Sequence, residues 1–137
     1  MTQEIIPQDF GQIPLRYRML ARVAVTVAKL LATQPPARIR RILLWLRRGA
    51  VPATREQAGR ARDAVMTVSL ACAGREGCLP RSLATVLLCR FQGSWAAWCV
   101  GVRKLPPFGA HAWVEVDREF VGEEFPTDYF HTFFAVR

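Results

Sequence analysis

Acidic residues are scarce at one end of this chain, histidine is scarce throughout, and cysteine pairs at metal-binding spacing are missing. The first 62 residues carry three acids against twelve Arg and Lys, a charge of +9. Residues 63–137 carry eight acids against seven basic residues, a charge of −1. A basic half joined to a neutral half reads as a docking surface attached to something else. The opening Met1–Asp9 lacks the basic start and apolar centre of a secretory signal, which makes a cytoplasmic location the expectation. The four cysteines, Cys72, Cys78, Cys89 and Cys99, are then expected as reduced thiols rather than disulfides. Their spacings contain no C-x-x-C, and the two histidines form no H-x-x-x-H, so no structural zinc site is expected. The longest apolar run, Leu15–Ala32, is interrupted by Arg16, Arg18, Arg22 and Lys29. It is too charged to span a membrane, and weak peripheral contact is the most it suggests.

What is present describes a packed globule of about one domain. Hydrophobic residues make up 51% of the 137, which excludes a wholly disordered chain. Residues 1–13 read as a loose arm, followed by a helix over 15–32. Gln34-Pro35-Pro36 breaks that helix, a second basic helix covers 37–48, and Gly49 stops it. Pro52 opens a linker, and Thr54 with Gln57 forms a capping box for a long helix to about Ala73. A turn at Gly74–Gly77 leads to a helix from Cys78 or Leu79 to about Phe91, with Pro80 in its first turn. Strands are expected over Trp95–Val102, Ala110–Val116 and Phe120–Phe125, with a rigid loop at Leu105–Gly109. Helices first and antiparallel strands later define an α+β fold. The organisation is a basic helical region, residues 1–52, packed on a core of residues 53–137 in a single compact domain. No internal repeat is evident.

The chemistry-bearing residues follow from position. A helix N-terminus lowers a thiol pKa through the positive end of its dipole, and its first N–H groups can serve an oxyanion. Cys78 stands at such a start, behind Gly77, which is read as room for a substrate backbone. Cys72 and Cys89 lie on expected helix faces and Cys99 in an apolar strand, so these three are read as core. His111 opens an alternating strand after Pro-Pro-Phe-Gly, whereas His131 sits in an aromatic tail, YFHTFF. A Cys at a helix start followed by a His on a strand is a cysteine-peptidase order. An acid should orient the imidazole. Glu115 lies too far along the strand of His111. A three-residue hairpin loop, Asp117–Glu119, places Glu123 on the His111 face, whereas a two-residue loop places Glu124 there. Trp95, Phe108 and Trp113 are aromatic residues near the motif, read first as core.

The segments GCLPRSL, LLCRFQG, WCVGV and AHAWVEVD, with PATREQAGRARDAV before them, resemble the leader peptidases of lasso-peptide biosynthesis. These belong to the transglutaminase-like, broadly papain-like, cysteine peptidases. The resemblance spans roughly residues 36–125. It implies a transglutaminase-like core and a Cys-His-acid triad in which Cys78 is the nucleophile and His111 the base. The family's acid lies about a dozen residues after the His and is usually Asp; here Glu123 stands there, and Arg118 replaces the usual hairpin glycine. The implied reaction removes the leader from a precursor peptide by acyl transfer to water, with no metal or cofactor required. A compact chain of this kind resembles the split arrangement, with a separate leader-recognition protein and possibly the lasso cyclase as partners of the basic helices. An acyltransferase using an amine acceptor fits the same motif. A non-enzymatic basic binding module is the other alternative, although the Arg-rich helices lack the aromatic interleaving of a nucleic-acid binder, so no specific nucleic acid is expected.

Overall fold

The computed structural model describes residues 13–74, 77–105, 109–122 and 129–137. Helix α1 (Leu15–Leu31) turns its small residues Ala21, Ala24 and Ala28 inward, which lets it approach its neighbours closely. Pro35 and Pro36 separate it from α2 (Pro36–Leu46), as a proline at the first helical position favours. The Thr54 hydroxyl accepts from the Gln57 amide at 3.0 Å and the Gln57 side chain accepts from the Thr54 amide at 2.9 Å. This capping box opens α3 (Arg55–Val68).

The expected continuation to Ala73 is broken at Ser69. Its backbone is extended (φ −141°, ψ 113°), and its hydroxyl accepts from the Cys72 amide at 3.2 Å. That bond restarts the chain as the short α4 (Leu70–Ala73), a case of a serine competing with helical bonding. Helix α5 (Cys78–Phe91) is buried continuously from Ser82 to Cys89, which makes it the central helix. Helices α1 and α3 and the sheet all pack on it.

Four of the six strands among the described residues fall where strands were expected, with changes in detail, and the first and last do not. The segment read as a linker contributes β1 (Val51–Pro52), paired in parallel with β2 (Ser94–Trp95). Strand β3 (Ala97–Arg103) then pairs antiparallel with β4 (Ala110–Val116). The expected strand from Phe120 is short: β5 (Glu119–Phe120) pairs with the end of β4. The last strand, β6 (Phe130–Val136), replaces the aromatic tail expected there and pairs antiparallel with β3. The main sheet therefore runs β5-β4-β3-β6, and the protein is mixed helix and antiparallel sheet. A bulge between Val100 and Gly101 accommodates β6, because a side chain at Gly101 would run into the His131 backbone.

The two sheet faces have separate cores. Trp98, Ala112, Val114 and Val116 join the helices in the main core. Cys99, Trp113, Phe120 and Phe130 form a second, aromatic cluster on the other face.

Candidate active site

Cys78 is the first residue of α5, and its half-buried thiol meets the start of β4. Burial by itself raises the thiol pKa. Hydrogen bonds from the His111 ring and the Ala112 backbone N–H oppose this, as do the charges of His111 and Arg81. Together they outweigh burial and hold Cys78 below the ordinary thiol value. The other shifted thiols move the opposite way. Burial pushes Cys89 up to about 11. Burial, reinforced by the Glu115 carboxylate, pushes Cys99 up to about 12. Cys78 alone among these three is disposed to ionise.

The start of α5 is fixed from behind. Arg81 donates one guanidinium nitrogen to the Cys72 carbonyl at 2.9 Å and to the Gly74 carbonyl at 3.2 Å. It thus ties α4 to the nucleophile's turn while contributing positive charge to Cys78. Ser82 donates to the Leu79 carbonyl at 3.0 Å and accepts from the Trp98 indole at 3.0 Å, which anchors α5 to β3. Gly77 has a different role from the one expected. A Cβ there would strike the carbonyls of Ala71 and Cys72, so the glycine is required by the chain's own packing on α4.

His111 faces Gly101 across β3–β4, and its ring lies nearly parallel to Phe130, with centroids 4.8 Å apart. Trp113, two residues on and on the same face, continues the stack at 5.9 Å from His111 and 5.1 Å from Phe130. Phe130 was missed in the sequence because β6 was read as a tail. The alternation of FHTFFAV was the available signal. His131, its neighbour, is exposed and opposite Val102.

Glu115 is buried and fully committed elsewhere. One carboxylate oxygen accepts from the Trp113 indole at 2.8 Å and the other from Arg137 at 2.8 Å. Burial raises its pKa, but the bonds from Trp113 and Arg137 and the Arg137 charge outweigh this and lower it. It anchors the aromatic stack rather than the imidazole. The hairpin uses the two-residue loop Asp117-Arg118, both in the left-handed region (φ 55° and 66°), so Glu115 pairs with Phe120. The three-residue loop on which Glu123 was preferred is not formed. Pairing extends to a Val121 N–H to Val114 carbonyl bond at 2.9 Å. Gly122 then adopts φ 78° against the Arg62 side chain, which interrupts a regular strand. Glu123, Glu124 and Phe108 lie outside the described residues.

Cys78 and His111 open onto a groove of about 360 Å³ between the α1–α2 turn and the sheet, lined by Ile39, Leu79, Trp98 and Val100 among others. Trp95, by contrast, is buried with its indole donating to the Val136 carbonyl at 3.1 Å. A thiol with a lowered pKa, an imidazole in contact with it and an apolar groove beside both suit nucleophilic acyl transfer. No helix is long and apolar enough to cross a membrane among the described residues. A family model described as the transglutaminase-like superfamily matches residues 21–135. No curated protein and no solved structure matches the chain.

Proposed function

The chain belongs to the transglutaminase-like superfamily, and from that premise we propose that it is a cysteine peptidase that removes the leader from a lasso-peptide precursor. The superfamily includes cysteine peptidases and acyltransferases. The observation that carries the catalytic reading is the Cys78–His111 hydrogen bond, with the thiol pKa lowered despite burial. The lasso assignment rests on the ordered GCLPRS and AHAWVE segments.

In the proposed reaction His111 takes the Cys78 proton, and the thiolate attacks the carbonyl at the leader–core junction. The oxyanion is received by the N–H groups of Cys78 and Leu79, which by position in the first turn have no intrahelical acceptor; Pro80 has no N–H to offer. Protonated His111 gives its proton to the departing amine of the core. A water, deprotonated by His111, then cleaves the thioester and releases the leader as a free carboxylate. Phe130 and Trp113 hold the imidazole plane, and a carboxylate from Glu123 or Glu124 completes the triad. The partners of this reading are a separate leader-recognition protein and the lasso cyclase, and the reaction is cytoplasmic.

The test is mass spectrometry of a lasso precursor incubated with the protein and a recognition partner, beside Cys78→Ala and Cys89→Ala. One cut at a defined junction, lost in Cys78→Ala and kept in Cys89→Ala, is expected. Transfer of the leader acyl group to an added amine, in place of hydrolysis, would convert the reading to an acyltransferase. Equal cutting by Cys78→Ala would overturn it.

A further inference from the structure

The groove beside Cys78 is apolar in a way that its polar atoms confirm. Trp98, its indole N–H satisfied by Ser82 at 3.0 Å, is buried beneath the groove and brings no free polar atom to its floor. Ile39, Leu79 and Val100 supply the rest of the apolar lining. Apart from Cys78 and His111, Gln34 is the one polar side chain lining it among the described residues. The volume suits one or two aliphatic side chains and has no buried charge to receive a polar one.

The rim is cationic. Gln34 accepts a hydrogen bond from Arg38 at 2.8 Å, which holds that exposed guanidinium beside a groove-lining residue. Arg40 and Arg41 follow in α2, also exposed. From Ile13 to Arg55 the chain has no Asp or Glu. Among the described residues, no carboxylate forms an ion pair with Arg38, Arg40 or Arg41. Arg38 spends one N–H on Gln34 and keeps others in the fork geometry that grips a carboxylate.

We propose that this groove selects a peptide carrying an aliphatic side chain beside the scissile bond and an acidic side chain that meets Arg38 at the rim. The proposal rests on the peptidase reading and adds the class of its substrate. The aliphatic group fills the cleft beside the half-buried Leu79 and Val100, above Ile39 and Trp98. The acidic residue is held at the end of α2 nearest Cys78, so it sets which bond lies over the thiol.

Binding can be read without cleavage. Full-length Cys78→Ala protein is titrated into two fluorescent ten-residue peptides, capped at both ends so that only side chains carry charge. Both have a central Leu; one has Glu and the other Gln at the flanking positions. At low salt the Glu peptide binds roughly fivefold more tightly, an advantage that shrinks as salt is added. Arg38→Gln in the same background removes most of that advantage. Arg22→Gln, which deletes an equal charge from α1, leaves it in place. Replacing the central Leu by Asn weakens both peptides. Equal binding of the two peptides, an advantage that survives Arg38→Gln, or no binding of either overturns the proposal. Cleavage is tested separately, with wild-type protein, a lasso precursor and its recognition partner. Selective binding with no cut upholds the groove assignment and overturns the peptidase reading.

Discussion

At the scale of single residues, the opposing influences on Cys78 make a pH prediction with a definite sign. Burial raises its pKa, and the His111 bond, the Ala112 N–H and the charges of His111 and Arg81 lower it further than burial raises it. The thiolate is therefore present at pH values where an ordinary thiol is still protonated. The rate of Cys78 alkylation by iodoacetamide, followed by peptide mapping, should reach half its maximum below the ordinary thiol range. In His111→Ala the same limb should move upward, because burial is then opposed by less. Cys89 and Cys99, pushed up to about 11 and about 12, should stay unmodified in the native protein at neutral pH. An unmoved limb in His111→Ala would show that the helix and backbone, rather than the imidazole, set the thiol. That Cys78 and His111 would meet was readable from chain order, since both sit at the starts of elements that pack on each other. The role of Phe130 was not, because stacking on His111 depends on the β3–β6 register, a contact between distant parts of the chain. Glu115 illustrates the same limit. Its position along β4 excluded it from reaching the imidazole, but nothing local announced that Arg137 would bond it.

Elements show where local chemistry suffices and where it does not. The capping box at Thr54 forms as the spacing predicts, and Pro36, read as part of the break before a helix from residue 37, is itself the first residue of α2. The break at Ser69 and the strand at Phe130–Val136 were not foreseen. A serine's hydroxyl wins over helix continuation only where the next turn is anchored, here by Cys72 in the core. The hairpin turn is a compromise of a different sort. Arg118 occupies φ 66°, where a side chain costs about 1 kcal/mol relative to glycine. Arg118→Gly should therefore raise stability by about 1 kcal/mol in thermal or chemical unfolding, with the hairpin register kept. A loss of stability would mean that Arg118 makes compensating contacts in the folded protein. Gly77→Ala belongs to the opposite class. A methyl there collides with backbone carbonyls of α4, which no rotamer change relieves. The variant should lose on the order of 2–3 kcal/mol of stability and, because α5 must shift, show slower Cys78 alkylation. Unchanged alkylation with normal stability would show that α4 yields instead.

For the whole molecule, α1 is apolar on two sides. Its inner face, with Ala21, Ala24 and Ala28, is consumed by the core. Its outer face exposes Leu15 by 72%, Met19 by 59%, Val23 by 52% and Leu30 by 67%, with Arg16, Arg22 and Lys29 beside them. Such a stripe is largely exposed among the described residues, whereas helices on a monomer's surface are ordinarily polar outside. On the function proposed above, the partner to test on this face is the leader-recognition protein, which would present an apolar strip edged by acidic residues to α1. Met19→Glu combined with Val23→Glu places like charges opposite those acids and removes two apolar contacts. Binding to the recognition protein, measured by calorimetry, should fall at least roughly tenfold, as when a central apolar anchor is lost. Alkylation of Cys78 should be unchanged, because both positions are exposed and neither lines the groove beside Cys78. The Arg38 rim should be separable from this surface: Arg38→Gln alters peptide preference and leaves recognition-protein binding intact, while the α1 pair does the reverse. If both variants weakened both interactions alike, the basic region would be acting as one diffuse field and not as two sites. Full binding by the α1 pair would instead leave α1 with no role in assembly.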